Sequence, residues 1–226
     1  MTHKLGRISD VFIGRPRTLP DPLREGQTFR TSMCRSPVDG PVQLEAGGLV
    51  GDEVTDKKYH GHPWQAMLLF AGRHYAEWRD ETGLDTMQPG GFGENVTIDS
   101  ITEADVCLGD HLSLGTAVVE VTAPRVPCSK VDRRFGQKGI TKRVTETARG
   151  GWYVRVVQPG TFRVGNDVTL LQRPAPGVTV VMAARAGYGP EPWEDAARQV
   201  LQSGIGAREF IDSVQARMGS VQATSS

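Results

Sequence analysis

The first 173 residues carry short runs in which apolar and polar side chains alternate, as expected for strands that bury one face. Residues 5–13 alternate in this way, and residues 41–54 hold two short apolar groups broken by glycines that indicate a turn. AMLLF is a short strand or a buried segment, and further strands are predicted at HLSLG, AVVEVTAP, GWYVRVVQPGTF and NDVTLLQR. Because β–α–β alternation is nearly absent, the pattern favours a closed or barrel-like β domain.

Helical periodicity marks fewer segments. Tyr75, Trp78 and Thr82 lie three and four residues apart, which predicts a helix over 71–83 that stops at Gly83. A second helix is expected over 137–148. Beyond the RPAPG segment, three apolar stripes predict three helices, with Val180, Val181 and Ala184 in the first, Trp193, Ala197, Val200 and Leu201 in the second, and Phe210, Ile211, Val214 and Met218 in the third.

The patterns together indicate a mostly β (α+β) protein with two parts. We expect a barrel domain over residues 1–173 and a small three-helix region over residues 174–226, because the composition changes at RPAPG. The three helices either pack on the barrel or contact a second subunit or a partner protein, and packing is the favoured role.

Composition narrows the classes of function. Lysine plus arginine equals aspartate plus glutamate at 26 each, and this balance argues against a general nucleic-acid or acidic-membrane binder. No apolar run approaches the length of about 20 residues that spans a bilayer, so a soluble, unexported, cytoplasmic protein is expected. The three cysteines have no CxxC spacing, which favours free thiols in a reducing compartment.

Cys128 is the cysteine with the most unusual surroundings. Pro124 and Pro127 restrict the backbone beside it and remove two amide donors, which indicates a shaped loop. Nearby cations stabilise a thiolate, which can act as a nucleophile, a redox group or a soft metal ligand. An inert thiol at the end of a strand remains an equal alternative. The cations within six residues of it are Arg125, Lys130, Arg133 and Arg134.

Residues 51–66 form a second candidate site. Lys57, Lys58, His60 and His62 surround Gly61, and this group either binds a phosphate or forms a solvated basic turn. Two histidines two residues apart share one face of a strand, but they are too few ligands for a dedicated zinc site.

A glycine-rich stretch, GGFGEN at residues 90–95, forms a third candidate site. It lacks the spacing of a dinucleotide fingerprint and precedes its strand instead of following one. Its amides could face an anion, and Asn95 could bind the edge of a heterocycle. A plain turn before a strand explains the same residues equally well.

Taken together, GLVGDEVTDKKYHGHPWQAMLLF, GGFGENVT with ITEADVCLGD, and VTAPRVPCSKV resemble the MOSC domain, the family named after the C-terminal part of molybdenum cofactor sulfurase. The similarity is greatest to its stand-alone, YiiM-type bacterial branch. The resemblance implies a β-barrel with flanking helices and a molybdenum cofactor (Mo-molybdopterin) whose metal is bound by Cys128. It further implies reduction of N-hydroxylated small molecules, such as N-hydroxylated purine bases, with electrons from a partner reductase. The resemblance leaves two further properties undecided, namely binding of pyridoxal phosphate and assembly into a homodimer.

Given that cofactor, we assign roles to individual residues as a hypothesis. Arg125 would stabilise the thiolate and orient an oxo group or a substrate oxygen, and His60 is the candidate proton donor. The cofactor phosphate would contact Lys57, Lys58 and Gly61, and the pterin would lie near Phe92, Gly93, Glu94 and Asn95. The chain departs from the usual family pattern at His62, which replaces a glycine, and at Trp64 and Gln65, which replace two charged residues.

Two other functions use the same pocket. A cofactor carrier or a sulfur-delivery module would bind the cofactor without turning over a substrate. A thiol enzyme without a metal would use Cys128 as its nucleophile.

Overall fold

The computed structural model describes residues 2–55 and 60–224. Its strands are β1 (His3–Ile13), β2 (Arg17–Pro20), β3 (Thr28–Thr31), β4 (Ser36–Pro37), β5 (Val42–Glu45), β6 (Gly48–Leu49), β7 (Met67–Ala71), β8 (Val96–Asp99), β9 (His111–Leu114), β10 (Ala117–Pro124), β11 (Trp152–Gln158), β12 (Gly160–Phe162) and β13 (Asp167–Gln172). Its α-helices are α1 (His74–Thr82), α2 (Lys130–Phe135), α3 (Ile140–Thr147), α4 (Val180–Tyr188), α5 (Glu194–Ser203) and α6 (Arg208–Thr224), and a 3-10 helix spans Pro63–Gln65.

Seven strands close into a barrel in the order β13, β9, β10, β11, β7, β8 and β1, and pairing of β1 with β13 completes the circle. Neighbours in this circle are antiparallel except β7 and β8, which are parallel. Strand β10 shows why the sequence folds this way, since Ala117, Val119 and Val121 are buried while Val118 and Glu120 are partly exposed. The mostly β class and the closed barrel are therefore confirmed.

The helices of the barrel domain follow local signals. Helix α1 ends at Gly83, which has a left-handed backbone with a φ of 71°. The Gly83 amide donates a hydrogen bond to the carbonyl oxygen of Arg79 and so caps the helix. The stop predicted at this glycine is correct, although the helix begins three residues later than expected. Helix α2 was not predicted because a single pair of buried side chains, Val131 and Phe135, is too short to show a period.

One hydrophobic core runs from the barrel into the C-terminal helices. Barrel residues such as Leu112 and Val119 share it with Ala183, Trp193 and Phe210 from the chain beyond β13. The three predicted C-terminal helices are present as α4, α5 and α6, whereas the division into domains at residue 173 stays a prediction. Among the described residues, no helix has both the length and the apolar character that crossing a membrane requires.

Candidate cofactor-binding pocket

Segments that lie far apart in the sequence line one pocket beside β7, β10 and β11. They bring together several of the predicted site residues, namely His60, Phe92, Gly93, Asn95, Arg125 and Cys128. Other lining residues had no contact assigned to them from the sequence, and they include Arg35, Asp52, Thr55, Gln65, Val126, Lys130 and Tyr153. The three stretches that suggested a shared site therefore meet in space.

Cys128 lies in the loop between β10 and α2, and its thiol is free and partly exposed. The backbone of this loop is held by helices α2 and α3, because the carbonyl oxygen of Cys128 accepts hydrogen bonds from the Val131 amide at 2.9 Å and the Thr141 hydroxyl at 3.2 Å. The shaped loop expected from the prolines thus presents its thiol to the pocket. The other two cysteines lie outside the pocket lining among the described residues.

Arg125 leaves the end of β10 and is 95% buried, with 5% of its surface exposed. Its backbone is held from two sides, since its amide donates to Gly151 at 3.0 Å and its carbonyl oxygen accepts from the Tyr188 hydroxyl at 3.0 Å. Its guanidinium Nη1 is buried and has no hydrogen-bond partner within residues 2–55 and 60–224. A buried donor without a partner is costly, so this nitrogen marks a place where a ligand can bind.

A buried ion pair forms one wall of the pocket. The Asp52 carboxylate accepts bonds from Arg35 Nε at 2.7 Å and Nη2 at 2.8 Å, from the Gly14 amide at 3.0 Å and from Asn95 Nδ2 at 3.0 Å. Arg35 Nη1 also donates to the carbonyl oxygen of Gly93. The network ties four distant segments of the chain together, and neither Arg35 nor Asp52 had a role of its own assigned from the sequence.

The amide of Asn95 is occupied within the protein. Its Oδ1 accepts a bond from the Leu68 amide at 3.1 Å, and its Nδ2 donates to Asp52 and to the carbonyl oxygen of Phe12. Its backbone amide and carbonyl oxygen pair with Leu68 and Phe12 as well. Asn95 therefore lines the pocket as a structural anchor between strands.

Glu94 points away from the pocket, towards a second cluster of buried aromatic residues. Its Oε1 accepts bonds from the Tyr75 hydroxyl at 2.5 Å, the Gly90 amide at 2.7 Å and the Thr97 hydroxyl at 3.0 Å. Burial raises the pKa of Glu94 although these donors act in the opposite direction. Phe92 and Gly93 line the pocket, whereas the Glu94 carboxylate bonds to Tyr75 in the buried cluster to which the Phe92 ring also belongs.

Gly93 needs its lack of a side chain for packing. Its φ is +77°, and a Cβ atom there would lie 2.8 Å from the Met33 side chain, which also lines the pocket. Gly61 has a φ of +89° next to Val54 and is not among the lining residues. The predicted phosphate contacts Lys57 and Lys58 lie outside the described residues.

The cations that follow Cys128 differ in their surroundings. Lys130 lines the pocket. Arg133 lies 3.5 Å from the Asp21 carboxylate, and Arg134 stacks on the ring of Phe135 at 5.6 Å from its centre. Of the three cations left without a role by the sequence, the structure therefore brings one to the pocket.

Tyr153 lines the pocket together with Arg35, Arg125 and Cys128. Burial raises the pKa of Tyr153, while the guanidinium groups of Arg125 and Arg35 act to lower it and Cys128 acts to raise it. The described lining carries the cations Arg35, Arg125 and Lys130 against the carboxylate of Asp52, which Arg35 already neutralises. The chemistry of the lining is therefore that of a site for an anionic group next to a soft thiol.

Comparison with known proteins shows the family of this chain. The model of the MOSC domain matches residues 56–169. This chain belongs to the MOSC domain family. Protein YiiM of Escherichia coli is 32% identical over 211 residues, which make up 92% of this chain and 91% of that protein. A Bacillus subtilis protein, "Uncharacterized protein YflK", is 34% identical over 181 residues, 80% of each chain.

Solved structures support the assignment to YiiM-type MOSC proteins. YiiM from Geobacillus stearothermophilus has a TM-score of 0.75 at 26% identity, with coverage of 94% of this chain and 98% of that one.

A further sequence relative is a fungal protein named "Reductase", from Gibberella moniliformis, which is 34% identical over 163 residues, 71% of this chain and 29% of that protein. MOSC membership associates the chain with the molybdenum cofactor at the level of the family.

Proposed function

We propose that this MOSC protein is a molybdenum-cofactor-dependent reductase that converts N-hydroxylated compounds, such as N-hydroxylated purine bases, to amines. The observation that carries the proposal is the presence, in one pocket, of the free thiol of Cys128 and the buried, unpaired Nη1 of Arg125. The electrons come from a partner reductase. The proposal makes the family-level association with the cofactor specific to one reaction.

The residues of the pocket fit this cofactor. A thiolate is a soft ligand that suits molybdenum beside dithiolene sulfurs, and Cys128 would supply it. Arg125 Nη1 would donate to an oxygen of the metal centre or of the substrate, and that bond would satisfy the buried nitrogen. Lys130 supplies a second positive charge at the same pocket. We keep Lys57, Lys58 and Gly61 as the contacts proposed for the cofactor phosphate.

Fewer residues can contact the pterin than the sequence suggested. We propose that the pterin lies beside Phe92 and Gly93, which line the pocket. The side chains of Glu94 and Asn95 are already bonded within the protein, so they would shape the wall without contacting the ligand directly.

The reaction takes up two electrons and two protons and breaks the N–O bond, which gives the amine and water. When bound, the cofactor supplies the two-electron redox chemistry. Arg125 orients the hydroxyl oxygen that leaves. His60, which lines the pocket, is the proposed proton donor because the ordinary pKa of histidine lies near neutrality.

Metal analysis of protein purified from a host that makes the cofactor tests the ligand assignment. We expect about one molybdenum per chain in the unaltered protein, as one pterin-bound centre per pocket requires, and loss of the metal in Cys128→Ser. Cys34→Ser is the matched control, since Cys34 is also a free, partly exposed thiol but is not among the lining residues. Stoichiometric molybdenum in Cys128→Ser would refute the assignment.

Turnover of an N-hydroxylated base with a supplied reductase tests the reaction. Reduction by the loaded protein and its loss in Cys128→Ala are expected. Activity that survives in Cys128→Ala excludes the mechanism. A carrier or sulfur-delivery module would instead transfer its cofactor to an apo-enzyme without reducing the base, and a metal-free thiol enzyme would stay active without molybdenum.

A further inference from the structure

The pocket holds two buried oxygen atoms that the proposed reaction does not use. Gln65 Oε1 and Thr55 Oγ1 have no hydrogen-bond partner in the part of the chain that the structure describes. Both residues line the same pocket as Cys128 and Arg125. Buried polar atoms in folded proteins are nearly always paired, so unpaired ones in a pocket wall indicate a ligand that completes them.

We propose that Gln65 and Thr55 recognise the neutral edge of a planar nitrogen heterocycle, which deepens the proposed function and rests on it. A carboxamide offers an acceptor and donors in one plane, and it matches a base edge on which an N–H group lies next to a ring nitrogen. A hydroxyl adds one further donor and acceptor. Neither side chain carries a charge, so the anionic part of a ligand would go to Arg125 and Lys130.

The position of Gln65 is fixed by the structure around it. Gln65 ends the 3-10 helix and donates its amide to His62 at 2.8 Å, and the next residue, Ala66, donates to Val154 of β11 at 2.9 Å. The carbonyl oxygen of Trp64 accepts from the Thr122 hydroxyl at 2.7 Å. A side chain on such a rigid segment loses little freedom when a ligand binds, which favours selective recognition.

The recognised edge has two possible sources in the proposed function. The substrate base and the pterin of the cofactor are both planar heterocycles with N–H groups, and both would present donors to Gln65 Oε1. The experiment therefore measures the base and the cofactor separately.

The test compares Gln65→Met, which keeps the length of the side chain and removes its polar atoms, with the unaltered protein. Calorimetry gives the affinity for 6-hydroxylaminopurine and for phenylhydroxylamine, which has the same N–O group but no heterocyclic edge. Molybdenum and released pterin are quantified in the same preparations. Gln43→Met is the matched control, because Gln43 is an exposed glutamine on β5.

We expect Gln65→Met to weaken 6-hydroxylaminopurine binding by about tenfold, the effect of one lost hydrogen bond, and to leave phenylhydroxylamine binding unchanged. A fall in pterin content with unchanged base affinity would assign the same recognition to the cofactor. The inference is overturned if Gln65→Met changes neither the affinity for 6-hydroxylaminopurine nor the pterin content. It is also overturned if binding of 6-hydroxylaminopurine and of phenylhydroxylamine weakens equally, or if the unaltered protein binds neither 6-hydroxylaminopurine nor the pterin. If the base affinities change as expected but the protein contains no molybdenum when purified from a host that makes the cofactor, the recognition stands and the proposed function fails.

Discussion

The Arg35–Asp52 pair offers a test of how the pocket wall is held together. Both side chains are almost fully buried, with 7% and 9% of their surfaces exposed. Asp52→Ala removes two bonds from Arg35 and one each from Gly14 and Asn95. The guanidinium of Arg35 then stays buried and keeps its bond to the carbonyl oxygen of Gly93. An uncompensated buried charge is the expected consequence.

Breaking a buried pair in this way costs about 3–5 kcal/mol of the free energy of unfolding. For a chain of this length, about 2–4 °C of melting temperature is lost per kcal/mol, so a decrease of about 6–20 °C is expected. Replacing both partners, as in Arg35→Met with Asp52→Leu, should recover part of the loss because no isolated charge remains. Recovery is incomplete because the Gly14 amide loses its acceptor and Asn95 Nδ2 loses one of its two.

Urea unfolding and thermal melts of the three proteins measure these quantities. Asp212→Ala is the control, because the Arg208–Asp212 pair is 3.8 Å apart with 91% and 64% of the side chains exposed. Such exposed pairs contribute little, so a change below about 0.5 kcal/mol is expected there. The reasoning fails if Asp52→Ala loses less than about 1 kcal/mol, or if the double variant is no more stable than the single one.

Two further predictions concern groups behind the pocket. Burial raises the pKa of Glu94 above its ordinary 4.5, so the folded state binds this proton more tightly than the unfolded state does. The stability it contributes is complete below the unfolded pKa and is lost as the pH rises through the folded pKa. Glu94→Gln should therefore reduce the loss of stability that urea titrations measure as the pH rises above about 4.5. The same pH dependence of stability in both proteins would contradict this. Tyr188→Phe removes the bond to the Arg125 carbonyl oxygen and should cost about 1 kcal/mol while raising the rate of Cys128 alkylation; unchanged values for both would show that α4 does not hold the loop.

The sequence by itself determined most of the strands and the composition of the site. The alternation in residues such as Val119 and Val121 predicts strand β10, and Gly83 predicts the end of α1, because periods and caps depend on neighbours within a few residues. Pro124 and Pro127 likewise indicate a shaped loop around Cys128, and the resemblance to the MOSC domain joined this loop to two distant stretches.

Only the tertiary structure decided which side chains face the pocket. Glu94 and Gly93 are neighbours in one motif, yet Glu94 bonds to Tyr75 in a separate cluster. Arg35 lies in a segment that the sequence did not single out, and Asp52 lies in a stretch noted only for its lysines and histidines. Both become part of the pocket wall because the barrel brings them to Asn95. These contacts join residues 17 and 43 positions apart, and the closure of β1 on β13 spans nearly the whole barrel domain. Local patterns carry no information on such pairings, because their stability comes from burial and hydrogen bonds that form only once the barrel is closed.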